Sequence, residues 1–180
     1  LAAVYAMNES ADLAVGRVLA HLDQLNLADD TIVIFMSDHG PNTPRYNAGL
    51  RGIKGCLHEG GVRVPFLTRW PNSIPAGSRL TQPAAHIDIV PTLLGLAGIE
   101  PSQEVALDGL NLADTFLSGG ATAVPDRLLF GFFENTGTVR SANHRMLIPA
   151  EGRAELYDLT RDPGETMNLL AGQGQNPADL

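Results

Sequence analysis

The apolar positions of the first 25 residues recur at intervals of three and four. The series comprises Val4, Met7, Ala11, Val15, Val18, Leu22 and Leu25. This spacing places the side chains on one face of an α-helix, and it predicts an amphipathic helix over roughly residues 2 to 25. The polar residues of the same stretch fall on the other faces.

An uncharged run over residues 31–36 follows a short polar loop and stops at Ser-Asp-His-Gly. A continuous apolar run predicts a strand buried on both faces, as in a parallel sheet beneath helices. Ligands of open α/β sheets bind beyond the carboxyl ends of the strands, so Asp38 and His39 are candidates for metal or acid–base chemistry. The alternative is that Asp38 caps a turn and His39 is an ordinary surface residue.

The pattern changes character along the rest of the chain. It predicts, in order, a long loop (41–63), a strand (64–70), a helix (86–97), a short helix (108–117), three short strands (128–133, 138–148 and 155–159) and a final short helix (164–170). The turn residues 135–137 predict a hairpin between the first two of those late strands. We therefore expect αβ units over residues 1–125 and a small antiparallel sheet over residues 126–180.

Charge and composition exclude some classes of function. The chain has 12 basic and 20 acidic residues and a net charge of -8, which argues against a general binder of nucleic acid or of anionic membranes. No apolar run reaches the length of a membrane span. The single cysteine, Cys56, allows no intrachain disulfide. Because the chain lacks an initiator methionine and begins within a helical pattern, we expect it to be a piece of a longer protein.

The long loop contains the only lysine, Lys54, between two glycines. Glycines allow the backbone to approach a ligand closely, and a lysine ammonium suits a tetrahedral oxyanion. Arg51 and Arg63 add to the positive field, although a solvated basic loop would show the same residues. Asp88 favours the first turn of a helix for dipole reasons alone, so a structural role is the stronger interpretation of that residue.

Several motifs follow one another in a fixed order along the chain. They are Ser37-Asp38-His39-Gly40; Gly52-Ile53-Lys54-Gly55 with Glu59-Gly60-Gly61-Val62-Arg63-Val64-Pro65; Trp70-Pro71; His86-Ile87-Asp88-Ile89-Val90-Pro91-Thr92-Leu93-Leu94; Leu107-Asp108-Gly109; and Glu155-Leu156-Tyr157-Asp158-Leu159 with Asp162-Pro163-Gly164-Glu165. Together they resemble the C-terminal half of the sulfatases in the alkaline phosphatase-like superfamily. The resemblance covers nearly the whole chain.

This resemblance implies a fold and a set of site residues. The fold class would be α/β, part of an alkaline phosphatase-like α/β/α sandwich followed by a small C-terminal antiparallel sheet. Asp38 and His39 would bind a divalent cation, usually Ca²⁺, with Mn²⁺ possible because of the imidazole. Lys54 would bind the sulfate group near the leaving oxygen. The substrate rim would include Arg45, Tyr46, Asn47 and His58, for which a position in the long loop is the only argument.

The nucleophile of the family has no counterpart in this chain. That nucleophile is a formylglycine made from a Cys/Ser-x-Pro-x-Arg motif, and the residues after Cys56 do not fit that motif. In the intact enzyme the hydrated formylglycine attacks sulfur, the alcohol leaves and sulfate is then expelled. We therefore expect the formylglycine and the remaining metal ligands in a missing N-terminal half, and the chain alone to be inactive.

Two alternatives remain open on the sequence alone. His39 slightly favours a phosphonate or phosphodiester hydrolase of the same superfamily, because most sulfatases carry Asn at that place. The chain could instead be an inactive fragment that serves only as a structural or association module, with exposed apolar surface. For a sulfatase, the expected substrate is a sulfated small molecule or glycan, and the family's habit predicts an extracytoplasmic location.

Overall fold

A computed structural model of the protein describes residues 2–44, 46–102 and 104–171. The chain divides into two compact units. The first takes its described residues from Leu1–Phe35, Leu67–Leu80 and Asp114–Thr122. The second takes them from Met36–Phe66, Thr81–Ala113 and Ala123–Leu180. The sequence-based boundary between residues 125 and 126 stays a prediction.

The N-terminal helix, α1, spans Ala2–Gln24 and confirms the predicted helix. No residue of α1 is buried. Met7 on the apolar face is 71% exposed, and Val4 and Val18 are exposed as well. The described residues therefore leave this apolar face open to solvent, although its spacing is typical of a helix packed on a core.

The strand that precedes Asp38 is β1, Val33–Met36, and it pairs with β2, Phe66–Arg69. Both strands were predicted, but β1 is not buried on both faces as its composition suggested. Phe35 is exposed, and the other three residues of β1 are only half-buried. The physical reason is that β1 and β2 form a sheet of only two strands in the described chain, too few to enclose a strand.

The second unit contains a four-stranded antiparallel sheet in the order β3-β4-β5-β6. The strands are β3 (Leu129–Phe133), β4 (Thr136–Arg140), β5 (His144–Pro149) and β6 (Glu155–Asp158). The predicted strand over residues 138–148 is wrong in detail, because it contains two strands and the turn between them. Ser141 makes that turn, since its hydroxyl accepts hydrogen bonds from the backbone N–H groups of Asn143 and His144.

The two faces of this sheet differ in chemistry. Alternation along the strands places Thr138, Arg145, Leu147 and Tyr157 on one face, where all four are buried. Phe130 lies on the opposite face and is 76% exposed. Arg140 is paired directly with Arg145 across β4 and β5. Like charges opposite each other are destabilising, so this register requires an acid between the two guanidinium groups.

The final helix predicted over residues 164–170 is absent, since the described residues there form only turns. Glu165 has a left-handed φ of 53°, which interrupts a right-handed helix. The Asp162 carboxylate accepts hydrogen bonds from the backbone N–H groups of Thr166 and Met167, which satisfies the backbone locally. Residues 172–180 lie outside the residues that the structure describes.

The predicted helix over residues 86–97 forms as a 3₁₀ turn, His86–Asp88, followed by α3, Ile89–Leu96. Gly98 ends it with a φ of 66°. The other predicted helix is shorter than expected. This helix, α4, spans only Ala113–Leu117, because the Asn111 side chain accepts a hydrogen bond from the backbone N–H of Ala113 and so caps the helix there. A further short helix, α2, spans Glu59–Val62 within the long loop.

The structure confirms that Asp88 has a structural role. Its carboxylate is buried and accepts hydrogen bonds from the backbone N–H groups of Ala85 and Leu110. Both terminal nitrogens of the Arg127 guanidinium donate to the same carboxylate. Burial alone would raise the pKa of Asp88, but these hydrogen bonds, above all those from Arg127, lower it below its ordinary value of 3.8.

The Asp88→Asn substitution should lower the free energy of unfolding by about 3 kcal/mol at pH 7, because it leaves the Arg127 charge buried without a counter-charge. The folded-state pKa of Asp88 is depressed, so its contribution is complete above 3.8 and disappears as the pH falls through the folded-state value. Urea unfolding followed by circular dichroism at pH 7 and pH 3 measures both effects. The exposed Asp108→Asn variant is the control, and equal losses in the two variants would contradict this role.

Candidate functional site

Asp38 and His39 lie directly after β1, and their side chains face each other. The imidazole Nε2 of His39 is 3.0 Å from the Asp38 carboxylate oxygen Oδ2. The second carboxylate oxygen accepts a hydrogen bond of 3.0 Å from the backbone N–H of His39. The Asp38 side chain is 81% exposed, so its carboxylate is accessible to a ligand. The turn after the strand thus brings both side chains to one place.

The geometry of His39 suits a metal ligand. Its Nδ1 is 2.9 Å from the carbonyl oxygen of Gly40, and a proton on Nδ1 would be donated to that oxygen. In that tautomer Nε2 carries a lone pair, as a metal ligand requires. A carboxylate oxygen suits a hard cation, and an imidazole nitrogen is a common metal ligand. The described residues contain no cluster of three or more metal-ligating side chains, so Asp38 and His39 fit as part of a ligand set.

The loop that contains Lys54 is hydrogen-bonded to the segment that follows His39. The backbone N–H of Lys54 donates to the carbonyl oxygen of Pro41 at 2.9 Å, and the N–H of Gly40 donates to that of Gly61 at 2.8 Å. Lys54 itself is exposed. The structure therefore brings together, within one unit, the Lys54 loop and the strand end that carries Asp38 and His39.

Close backbone packing makes these hydrogen bonds possible. A Cβ atom at position 40 would overlap the carbonyl oxygen of Gly60, and a Cβ atom at position 60 would overlap the carbonyl oxygens of Arg51 and Gly52. On either side of Lys54, Gly52 and Gly55 have φ values of 93° and 83°, which residues with a side chain rarely adopt. The loop backbone can follow this path only with glycine at these positions, because a side chain would clash or would require an unfavourable φ.

The predicted rim residues have different surroundings. Asn47 donates its side-chain amide to the carbonyl oxygens of Leu50 and Gly52, so that amide braces the loop. Tyr46 is exposed, with a left-handed φ of 58°. Arg45 lies outside the described residues. The role of these residues in substrate binding stays a prediction.

His58 is directed toward carboxylates of the C-terminal region. Only 15% of its side chain is exposed, and its Nδ1 lies 3.3 Å from the Glu165 carboxylate. Its Nε2 is 3.9 Å from the carboxylate of Glu155, and its ring meets the ring of Tyr157 edge to face. These contacts brace the segment after Lys54, and a substrate role for His58 stays a prediction.

A buried ionic cluster that was not predicted from the sequence joins the end of the long loop to the C-terminal sheet. We call it the Glu59 cluster; it consists of Glu59, Arg140, Arg145 and Glu165. The Glu59 carboxylate accepts hydrogen bonds from Arg140 at 3.0 Å and from Arg145 at 2.5 Å, and it supplies the acid between the paired arginines. Burial alone would raise the pKa of Glu59, but these hydrogen bonds outweigh burial and hold it below its ordinary value.

Glu165 completes the Glu59 cluster from the other side. It accepts a hydrogen bond of 2.8 Å from the backbone N–H of Glu59, and its second oxygen lies 3.3 Å from Nε of Arg145. Glu59 and Arg145 are each 2% exposed, and Glu165 is 1% exposed. One signal for this cluster was available in the sequence, because Arg145 occupies an inward position on an otherwise apolar strand.

Comparison with known proteins gives the chain its family. The family model described as Sulfatase matches residues 1–99, more than half of the chain. The chain belongs to the sulfatase family. A second model, described as N-sulphoglucosamine sulphohydrolase, C-terminal, matches residues 53–178. The two matches together account for both the strand end with Asp38 and His39 and the C-terminal sheet.

The matches to individual sulfatases cover most of this chain. Human arylsulfatase A is 34% identical, and the match covers 89% of this chain and 38% of that protein. A sulfatase of Formosa agariphila is 35% identical over 94% of this chain and 35% of its own length. The chain thus spans a little over a third of the length of these relatives.

Solved structures confirm the fold class. The crystal structure of Ps i-CgsB in complex with k-i-k-neocarrahexaose has a TM-score of 0.74 and 28% identity, covering 88% of this chain and 36% of that one. The structure of BT4656 in complex with D-Glucosamine-2-N, 6-O-disulfate has the same TM-score at 24% identity, covering 89% and 34%. The chain is therefore part of an alkaline phosphatase-like α/β fold followed by a small antiparallel sheet. None of its described helices has the length and hydrophobicity to cross a membrane.

The Gly60→Ala substitution should destabilise the protein by about 2 kcal/mol, because the new methyl group overlaps two carbonyl oxygens that cannot both move away. Gly16→Ala is the matched control, since Gly16 lies in α1 with no atom near the position of a Cβ. The control should be neutral or stabilising, because alanine favours the helix. Thermal unfolding of both variants measures the difference, and a Gly60→Ala variant as stable as the control would refute the close packing.

Proposed function

We propose that this chain is the C-terminal part of a sulfuric ester hydrolase and supplies about half of its active site. The observation that carries the proposal is the pair of hydrogen bonds from Lys54 to Pro41 and from Gly40 to Gly61. These backbone hydrogen bonds place the loop that carries Lys54 beside the segment that carries Asp38 and His39. A cation and an ammonium together suit the charge that develops on a transferring sulfuryl group.

Each residue has a distinct role in this proposal. Asp38 and His39 hold a divalent cation, Ca²⁺ in the first instance, which supplies positive charge to the sulfate oxygens and the nucleophile. Lys54 binds a sulfate oxygen close to the ester oxygen and stabilises the negative charge that forms there as the S–O bond breaks. In the net reaction, water is consumed, and the alcohol and sulfate are released.

The nucleophile and the remaining ligands would come from residues outside this chain. Support for this comes from the match to human arylsulfatase A, which covers only 38% of that protein. We therefore propose that a longer N-terminal portion carries the formylglycine motif and completes the site. An extracytoplasmic location is proposed on family grounds.

The substrate is proposed only as a class, a sulfated small molecule or glycan. The relatives' names are diverse, since they include a steryl-sulfatase of mouse at 36% identity and a human N-acetylgalactosamine-6-sulfatase at 36% identity. The similar structure of Ps i-CgsB is a complex with an oligosaccharide. Sterol and sugar esters share the sulfate group, and that shared group is what Lys54 and the cation would recognise.

A phosphonate or phosphodiester hydrolase is the second candidate. The imidazole of His39 favours it, because the side chain occupies a position at which Asn is more usual in sulfatases. The names of the relatives given above are all those of sulfatases, so the sulfate ester remains the first choice.

The full-length protein should hydrolyse 4-nitrophenyl sulfate in the presence of Ca²⁺ and should prefer it to bis(4-nitrophenyl) phosphate. Lys54→Ala should lower kcat/KM for the sulfate ester by about a hundredfold to a thousandfold, as expected for the loss of one charged group at a developing oxyanion. Release of 4-nitrophenolate measures both activities.

Arg161→Ala is the control for the loss of one positive charge, because the Arg161 side chain is 87% exposed. Its kcat/KM should stay within about twofold of the unmodified protein. A clear preference for the phosphodiester would contradict the sulfatase assignment. Equal losses in the Lys54→Ala and Arg161→Ala variants would contradict the role of Lys54.

A further inference from the structure

We propose that two sets of contacts to the C-terminal sheet, one made by the Glu59 cluster and one by Arg51, act as anchors that position the Lys54 ammonium at the sulfate. This inference rests on the proposed function and extends it to residues that do not touch the substrate. Lys54 is the only residue of the loop for which we propose a direct contact with the reacting group. The anchors flank it on both sides in the sequence.

The first anchor follows Lys54. The carbonyl oxygen of Leu57 accepts a hydrogen bond of 2.6 Å from Arg145. Two residues further on, the Glu59 carboxylate accepts hydrogen bonds from Arg140 and Arg145, and the Glu59 backbone N–H donates one to the Glu165 carboxylate. The chain just beyond Lys54 is therefore fixed to β4, to β5 and to the turn that contains Glu165.

The second anchor precedes Lys54. The Arg51 guanidinium donates hydrogen bonds to the Tyr157 hydroxyl at 2.5 Å and to the Glu155 carboxylate at 3.1 Å. Tyr157 in turn donates its hydroxyl proton to Glu155. Burial, with the adjacent Glu155 carboxylate, raises the pKa of Tyr157 to about 12, so the phenol stays protonated at neutral pH. Arg51 thereby ties the start of the loop to β6.

Between these anchors the chain has no regular secondary structure to stiffen it. Residues 52–58 form only turns and bends, and Lys54 at their centre is exposed. The hydrogen bond from the Lys54 N–H to Pro41 holds the middle of the segment, and the anchors hold its two ends. A displacement of about 1 Å at a reacting group can cost about a hundredfold in rate. Fixing both ends of the segment restricts where the ammonium can go.

Stability alone explains this arrangement less well than positioning does. Buried ion pairs can often be replaced by apolar residues with no loss of stability, whereas directed hydrogen bonds specify one geometry. Here the directed hydrogen bonds converge on the residues immediately around Lys54, in a unit whose described buried side chains include few apolar ones. We therefore infer that the precise path of the loop is what these charges maintain.

The test is a double-mutant cycle on activity in the full-length protein. Glu165→Gln keeps an acceptor for the Glu59 N–H but removes the charge beside Arg145, and Arg51→Met removes the other anchor while preserving much of the side-chain volume. Each substitution is made alone and together with Lys54→Ala. Glu151→Gln and Arg161→Met, both at exposed positions, are the matched controls.

If the anchors position Lys54, each anchor substitution lowers kcat/KM about tenfold or more when Lys54 is present and less than about twofold when Lys54 is absent. The loss should also be larger for an alkyl sulfate than for 4-nitrophenyl sulfate, because a poor leaving group depends more on the ammonium. Equal fold-changes with and without Lys54 would overturn the proposal, since a loss of folded protein reduces both activities alike.

Amide hydrogen exchange separates this inference from the proposed function. In the Glu165→Gln and Arg51→Met variants, peptides that cover residues 52–58 should exchange faster than in the unmodified protein and in the two controls. Unchanged exchange would overturn the positioning role even in an active sulfatase. Faster exchange in a protein that cleaves no sulfate ester would support the anchoring of the loop and refute the proposed function alone.

Discussion

The Glu59 carboxylate, buried between the guanidinium groups of Arg140 and Arg145, is the interaction on which the second unit depends. A buried carboxylate without partners would cost several kcal/mol, and two arginines opposite each other on neighbouring strands would repel. The two guanidinium groups supply partners for the buried carboxylate, and the carboxylate screens the repulsion between the two arginines. The result joins a short glycine-rich helix to the C-terminal sheet and leaves the preceding loop, with Lys54, at a defined place.

This constraint links a sheet remote from the reaction to the chemistry proposed at the strand end. The glycines at positions 40, 60 and 61 let two backbone segments meet, and the ionic cluster holds one of those segments in place. Asp38 and His39, the residues proposed to bind the cation, lie on the segment that these glycines bring together with the Lys54 loop. We therefore propose that the sheet supports a site on another part of the same unit.

The elements that could be predicted from the sequence are those with local signals. The three- and four-residue spacing identified α1, and the uncharged run identified the strand that ends before Asp38. The turn at Ser141 was missed because it lies inside a run that reads as one strand. An inward Arg145 signals that a buried acid is needed, but the identity of that acid could not be predicted, because Glu59 is 81 to 106 residues from its partners in the sequence. The burial expected for β1 was wrong for a related reason. An apolar strand needs a partner, but its sequence does not show whether the same stretch of chain provides one.

The central claim is that Asp38, His39 and Lys54 belong to one sulfate-binding site. The most direct measurement is a crystal structure of the full-length protein with Ca²⁺ and an unreactive sulfate-ester analogue. We expect a cation at roughly 2.5 Å from the Asp38 carboxylate and from Nε2 of His39, and the Lys54 ammonium within roughly 3 Å of a sulfate oxygen. A cation bound by other residues, or a sulfate group beyond the reach of Lys54, would contradict it.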